Sequence, residues 1–224
     1  TFEDTAQAHG SKYKGKNTGT LSLLADYSFY IAHNIQVGEM GAIVTDDRKI
    51  NQLIKQIKTN GRMCSCNICT RSKGFCPDID EEYDPRFTHE FIGYNFKTME
   101  FQAGLGLVQL NKFDDIIKQR QDNVKYLNER LSKYNDLFIL PKHSCDYSYL
   151  AYPLIIIDKS INREDFRLEL YNLGIESRTM FGSIPTKQPS YKEYAKLYGC
   201  KLPNADYLSD NSFYIDCHQY LLHE

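Results

Sequence analysis

Two groups of side chains in this sequence could carry reactive chemistry. Four cysteines, Cys64, Cys66, Cys69 and Cys76, crowd into one short segment. Closely spaced thiolates suit zinc or an iron–sulfur cluster. With no secretory leader in view, the cluster reads as metal ligation rather than as a disulfide framework. His33 is the other candidate. With an ordinary pKa of about 6.5, an imidazole moves protons near neutral pH; taken alone, it would more often be a core or surface histidine. Cys145, Cys200 and Cys217 are scattered and read as small buried apolar residues.

The elements that would position these groups follow from pattern. Residues 3–10 read as a strand end running into a loop, which Gly15 and Gly19 punctuate further. Residues 27–30 and 41–44 suit two strands flanking the His33 turn. Asp46 and Asp47 start a helix through Ile50, Leu53, Ile54 and Ile57, and Gly61 ends it. The cysteine segment follows as an irregular loop. The stripe Leu105, Val108, Phe113, Ile116, Ile117, Val124, Leu127 and Leu131 predicts one long helix from residue 101 to about 134, linking two domains. Residues 137–140 and 150–157 suit strands. Asn162 caps a helix, with Asp165 three residues on and Ile161 and Phe166 placed as a staple. Gly174 ends it, and residues 175–180 read as another strand. The second half is thus a small α+β unit.

Composition narrows the class. Of the 224 residues, 42% are hydrophobic and 25% charged, an ordinary globular balance. A formal net charge of -2 gives no basic surface for nucleic acid. No apolar run approaches the roughly 20 residues that span a bilayer. The opening Thr1-Phe2-Glu3-Asp4 lacks the features of a signal peptide. A soluble, cytoplasmic protein is the expectation.

Ser28-Phe29-Tyr30-Ile31-Ala32-His33, followed by Gly38-Glu39-Met40-Gly41, resembles the cofactor-lysine segment of the DegT/DnrJ/EryC1/StrS sugar aminotransferases, which use pyridoxal phosphate. The resemblance implies an α/β fold, the type I fold of pyridoxal-phosphate-dependent transferases. Residues 1–110 would be the C-terminal part of the large cofactor domain, with a Cys-rich loop at 61–80. Residues 111–224 would be the linking helix and the small C-terminal domain. In Glu3-Asp4-Thr5-Ala6-Gln7-Ala8-His9-Gly10, Asp4 matches the aspartate that pairs with the pyridine nitrogen, and Gln7 the glutamine beside the ring. Ser28 matches the serine that holds the cofactor phosphate. Asn95, in Ile92-Gly93-Tyr94-Asn95 ahead of Gln102-Ala103-Gly104, matches an asparagine that reaches a partner's phosphate across a homodimer interface. Ser177-Arg178-Thr179-Met180-Phe181 and Gln188-Pro189-Ser190-Tyr191 are similar to the small-domain strand and substrate loop, where Arg178 would meet a nucleotide-sugar phosphate.

The departure is His33, which stands where the family has lysine. Lysine forms a Schiff base with the cofactor and imidazole cannot, so the exchange implies proton abstraction with elimination. Two groups within the family share it, the GDP-4-keto-6-deoxymannose 3-dehydratases and the CDP-4-keto-6-deoxyglucose 3-dehydrases. Both hold pyridoxamine phosphate noncovalently. The second group is the nearer match, because Gly61-Arg62-Met63-Cys64-Ser65-Cys66 resembles its [2Fe-2S] segment. Cys76 matches a third ligand, while Ala6 stands where that group has its fourth; Cys69 is the substitute thiolate. The resemblance thus implies a 3-dehydrase acting on a nucleotide-linked 4-keto-6-deoxyhexose, on the path to 3,6-dideoxy sugars such as those of lipopolysaccharide, with a flavin or iron–sulfur reductase supplying electrons. A non-redox dehydratase, an aminotransferase using another lysine (Lys12, Lys14 or Lys16) and a noncatalytic subunit with structural zinc stay open. More of the large domain, with its phosphate-cradling loop, would lie in further residues of a longer chain or in a second polypeptide.

Overall fold

The computed structural model describes residues 1–64, 66, 68–70, 73, 74, 76, 79, 82–180, 184–198 and 202–223. They fall into two units, Thr1–His9 with Tyr13–Lys112 and Gly10–Lys12 with Phe113–Glu224. Between β1 (Glu3–Asp4) and β4 (Ala25–Ser28) comes a two-stranded hairpin of β2 (Lys12–Tyr13) and β3 (Lys16–Asn17).

The first unit is built on a three-stranded sheet ordered β1-β4-β5, where β5 is Gly41–Val44. β1 runs parallel to β4, pairing Glu3 with Ala25 and Asp4 with Asp26. β5 returns antiparallel, with Ser28 opposite Gly41. The turn between β4 and β5 is tied at its base, where Phe29 N–H donates to the Met40 carbonyl (2.8 Å) and Val37 N–H to the Phe29 carbonyl (3.0 Å). Asn34, Ile35 and Val37 are buried beneath it. This apolar anchoring, directly after His33, fixes a segment that would otherwise be a free loop.

Helix α1 (Arg48–Lys58) starts on Asp47, whose carboxylate accepts the Lys49 and Ile50 N–H groups. Helix α2 (Glu100–Leu110) lays Gly106 over Val37 and Met40, and Gln102 donates a side-chain N–H to the Glu39 carbonyl (2.7 Å). Helix α2 therefore holds the segment that follows His33.

The second unit packs helices on a four-stranded antiparallel sheet ordered β6-β7-β9-β8. The strands are β6 (Phe138–Ile139), β7 (Tyr152–Ile156), β8 (Ser177–Thr179) and β9 (Ser212–Ile215). Helix α3 (Phe113–Leu131) contributes Val124 to a buried core with Phe138, Tyr152, Leu154, Ile156, Phe213 and Cys217. Full burial of such side chains contributes about 1.5–3 kcal/mol each. Helices α4 (Arg163–Asn172), α5 (Lys192–Tyr198) and α6 (Pro203–Asn211) complete the unit. Asn162 caps α4, its side chain accepting the Glu164 and Asp165 N–H groups (2.9 and 3.1 Å). Replacing Asn162 with alanine should cost about 1 kcal/mol of stability; an unchanged urea midpoint would show that the cap contributes nothing.

The long helix expected from residue 101 to about 134 is two helices. Asn111 and Lys112 break it, and α3 restarts with Asp114 and Asp115 in its first turn, where carboxylates favour a helix N-terminus. The apolar stripe continues across the break, so spacing alone conceals it. The strand expected at 175–180 is shorter than its apolar pattern. β9, the second central strand, follows α6 with no turn residues between them, which removes the usual sequence mark of a strand start. No helix among the described residues is long and apolar enough to cross a membrane.

Candidate active site

Because paired residues on neighbouring strands share a face, Asp4 and Asp26 lie side by side, and Ser28 follows two residues along on that face. Asp4 Oδ1 accepts the Ala6 N–H (3.2 Å), and Oδ2 remains to accept another donor. Thr5 locks the strand ends together, its N–H and hydroxyl both donating to the Asp26 carbonyl. Glu3 binds the loop after β3: its carboxylate accepts N–H groups from Gly19 (2.7 Å), Leu21 (2.7 Å) and Ser22 (2.9 Å). These donors, Gly19 first, hold its pKa below the ordinary carboxylate value.

Just beyond this face, Ser28 and His33 are joined by three local bonds. Ser28 Oγ accepts the Tyr30 N–H (3.3 Å), and His33 N–H donates to the Tyr30 carbonyl (2.9 Å). His33 Nδ1 lies 3.2 Å from the Ser28 carbonyl. A carbonyl oxygen only accepts, so Nδ1 carries the proton and Nε2 carries the lone pair. The half-buried imidazole is thus set as a base at Nε2. The Ser28 hydroxyl, having accepted one N–H, still has its O–H to donate to an anion.

His9 has no role that sequence alone assigns, although it lies in the Asp4 motif. It is 6% exposed, with its ring centroid 5.1 Å from that of Tyr27 and 5.2 Å from that of Phe29. Both ring nitrogens are buried without a hydrogen-bond partner. Burial, and secondarily the charge on His33, push its pKa down to about 4. The legible signal is the alternation Tyr27, Phe29, which gives β4 and the residue that follows it an apolar face for His9.

Asn95 is exposed and pairs with Thr59 in an isolated β-bridge. The segment around it is stitched to the end of α1: Tyr94 N–H donates to Ile57 and Phe96 N–H to Lys58. Its glycine is obligatory. A Cβ on Gly93 would stand 2.1 Å from the Gly61 nitrogen, and one on Gly61 1.8 Å from the Phe91 carbonyl oxygen. Gln7 is exposed. Arg178 lies in the second unit, exposed and paired with Glu176 (3.1 Å). Phe181, from the same motif, lies outside the described residues.

The expected four-cysteine metal site is not supported among the described residues. Among the described residues, no three His, Cys, Asp or Glu side chains are placed to hold one ion. Cys64 is fixed at the root of its loop, its N–H bonded to the Pro85 carbonyl (3.1 Å). Cys66 and Cys69 are exposed, while Cys76 and Cys69 lie near the Arg86 guanidinium, which is itself paired with Asp84. Of the scattered cysteines, Cys217 is buried as expected. Cys145 is exposed, and Cys200 lies outside the described residues.

The DegT/DnrJ/EryC1/StrS aminotransferase family model matches residues 1–224. The chain belongs to that family. Among members of the DegT/DnrJ/EryC1/StrS family, the lipopolysaccharide biosynthesis protein RfbH of Salmonella typhimurium is 29% identical, over 96% of this chain and 51% of its own length. The dTDP-4-dehydro-2,6-dideoxy-D-glucose 3-dehydratase of Saccharopolyspora spinosa is 31% identical, over 95% of this chain and 48% of its own. In structure, the GDP-4-keto-6-deoxy-D-mannose-3-dehydratase of Escherichia coli, solved with bound hydrated pyridoxal phosphate, superposes with a TM-score of 0.80. It is 25% identical, over 97% of this chain and 56% of its own. The fold is that of the pyridoxal-phosphate-dependent transferases. The chain spans about half the length of the curated relatives it matches.

Proposed function

We propose that the chain forms part of a pyridoxamine-phosphate-dependent enzyme that dehydrates a nucleotide-linked 4-keto-6-deoxyhexose at C-3. One observation carries the reading: His33, which by resemblance stands in the family's lysine slot, has Nδ1 bonded to the Ser28 carbonyl, which makes Nε2 a base. Two relatives named as sugar 3-dehydratases support the substrate class.

The residues fit the cofactor. Asp4 Oδ2 is open to accept a ring N–H, Gln7 lies in the same motif, and the Ser28 hydroxyl is open to donate to phosphate. Asn95 of a second copy would complete the phosphate contacts across a homodimer interface, and Arg178 would meet the nucleotide-sugar phosphate after releasing Glu176. When bound, the cofactor supplies an electron sink for charge built up beside the amine. His33 Nε2 takes the proton released there and returns one to the departing 3-hydroxyl.

The rest of the family fold would come from further polypeptide. The accessible surface of 16,033 Å² exceeds the roughly 12,700 Å² expected even for two separate globules, each half of this 26.0-kDa chain. Phe101, Leu105, Leu107 and Val108 of α2 are among the exposed apolar side chains that such a partner would cover.

Borohydride treatment of the complete protein with pyridoxal phosphate tests the assignment. Mass spectrometry should show no cofactor fixed to wild type and one fixed to His33→Lys at residue 33. Capture by wild type, at Lys12, Lys14 or Lys16, would make it an aminotransferase instead.

A further inference from the structure

Nothing in the proposed chemistry uses Tyr30, yet its ring meets the His33 imidazole edge-on, with centroids 5.6 Å apart and planes at 75°. The two residues are also joined through the backbone, His33 N–H donating to the Tyr30 carbonyl (2.9 Å). The Tyr30 N–H in turn donates to Ser28 Oγ (3.3 Å), in the residue whose carbonyl holds His33 Nδ1. Ser28, Tyr30 and His33 thus form one closed local circuit. With one hydrogen bond at Nδ1, the imidazole is still free to flip about its Cβ–Cγ bond by giving up that bond. A second contact of different direction, from an aromatic edge or face, removes that freedom.

We propose that Tyr30 is a positioning residue for His33, its ring holding the imidazole on the Ser28 carbonyl so that Nε2 is the nitrogen that takes the proton. The functional meaning rests on the dehydratase reading, but the geometry does not. Tyr30 is 43% exposed, so the contact is not an incidental result of burial in the core. No bond from its hydroxyl enters the circuit; the ring alone is the working part.

The tautomer of His33 is read by long-range proton–nitrogen NMR on the complete protein at pH 8, where an ordinary histidine is neutral. Wild type should show mainly the Nδ1–H form. Tyr30→Phe should match it, because the ring is kept. Tyr30→Leu, which keeps bulk without the ring, and Tyr30→Ala should shift the ratio toward Nε2–H by about 2- to 10-fold, the range expected for one aromatic pair. The Val37 and Phe29 amide signals report whether the turn is intact. Should Tyr30→Ala lose them, Tyr30→Leu decides. A wild type already in the Nε2–H form, or a Tyr30→Leu spectrum equal to wild type with the turn intact, overturns the proposal. The readout needs neither cofactor nor substrate. A failed dehydration assay alongside the expected tautomer shift therefore counts against the reaction and not against the positioning.

Discussion

His33→Asn should lower the dehydration rate of the complete protein by about 10²- to 10⁴-fold, the usual contribution of a general base, while cofactor affinity changes little. Asparagine suits the test because its amide N–H can still donate to the Ser28 carbonyl that now accepts from Nδ1. The turn is anchored by buried Asn34, Ile35 and Val37 rather than by the imidazole, so it should survive the change. What is lost is the basic lone pair at Nε2, which an amide lacks. A drop in kcat with unchanged cofactor binding is the expected split, since the base acts only as charge develops. Turnover within a few-fold of wild type would remove His33 from the reaction. Weakened cofactor binding with normal chemistry would make it a packing residue.

The parts of the site that sequence exposed are those fixed locally. The strand at 41–44, the Asp47 helix start and the Asn162 cap were legible because a cap and an alternating run each depend on neighbours within a few residues. The Asp4, Ser28 and His33 motifs stood out by resemblance, and parallel pairing of β1 with β4 puts Asp4 and Ser28 on one face. What escaped depends on distant contacts. Register decides that Asp26 stands beside Asp4, and no local pattern fixes register between strands so far apart in the chain. The break at Asn111 and Lys112 lies where the chain passes from one unit to the other, under an uninterrupted apolar stripe. The cysteine segment differs, because its reading rested on spacing alone. Its spacing suggested a closed thiolate site, which the described residues do not support.

His9 gives the second large effect, on stability rather than rate. Its pKa stands at about 4 in the folded chain against 6.5 as the ordinary value. The unfolded chain therefore binds a proton that the folded chain refuses between those limits. Stability from neutral His9 is fully present above pH 6.5 and falls as pH drops toward 4. At pH 4.5 the loss should be about 2–3 kcal/mol, since each tenfold difference in proton affinity between the folded and unfolded chain is worth about 1.4 kcal/mol. His218, whose pKa burial also lowers, bends the wild-type profile in the same direction, so the informative quantity is a difference. His9→Leu removes the titration and the two unpartnered nitrogens while keeping an apolar side chain against Tyr27 and Phe29. At pH 7.5 the variant should be at least as stable as wild type, because a buried unpaired polar group costs about 1–3 kcal/mol. By pH 4.5 its advantage should have grown by a further amount of about 2–3 kcal/mol, read from urea midpoints at the two pH values. Parallel profiles for wild type and His9→Leu would mean that His9 gains a proton or a partner without cost. A sharp loss at pH 7.5 would mean instead that its nitrogens hold a buried water, which leucine cannot replace.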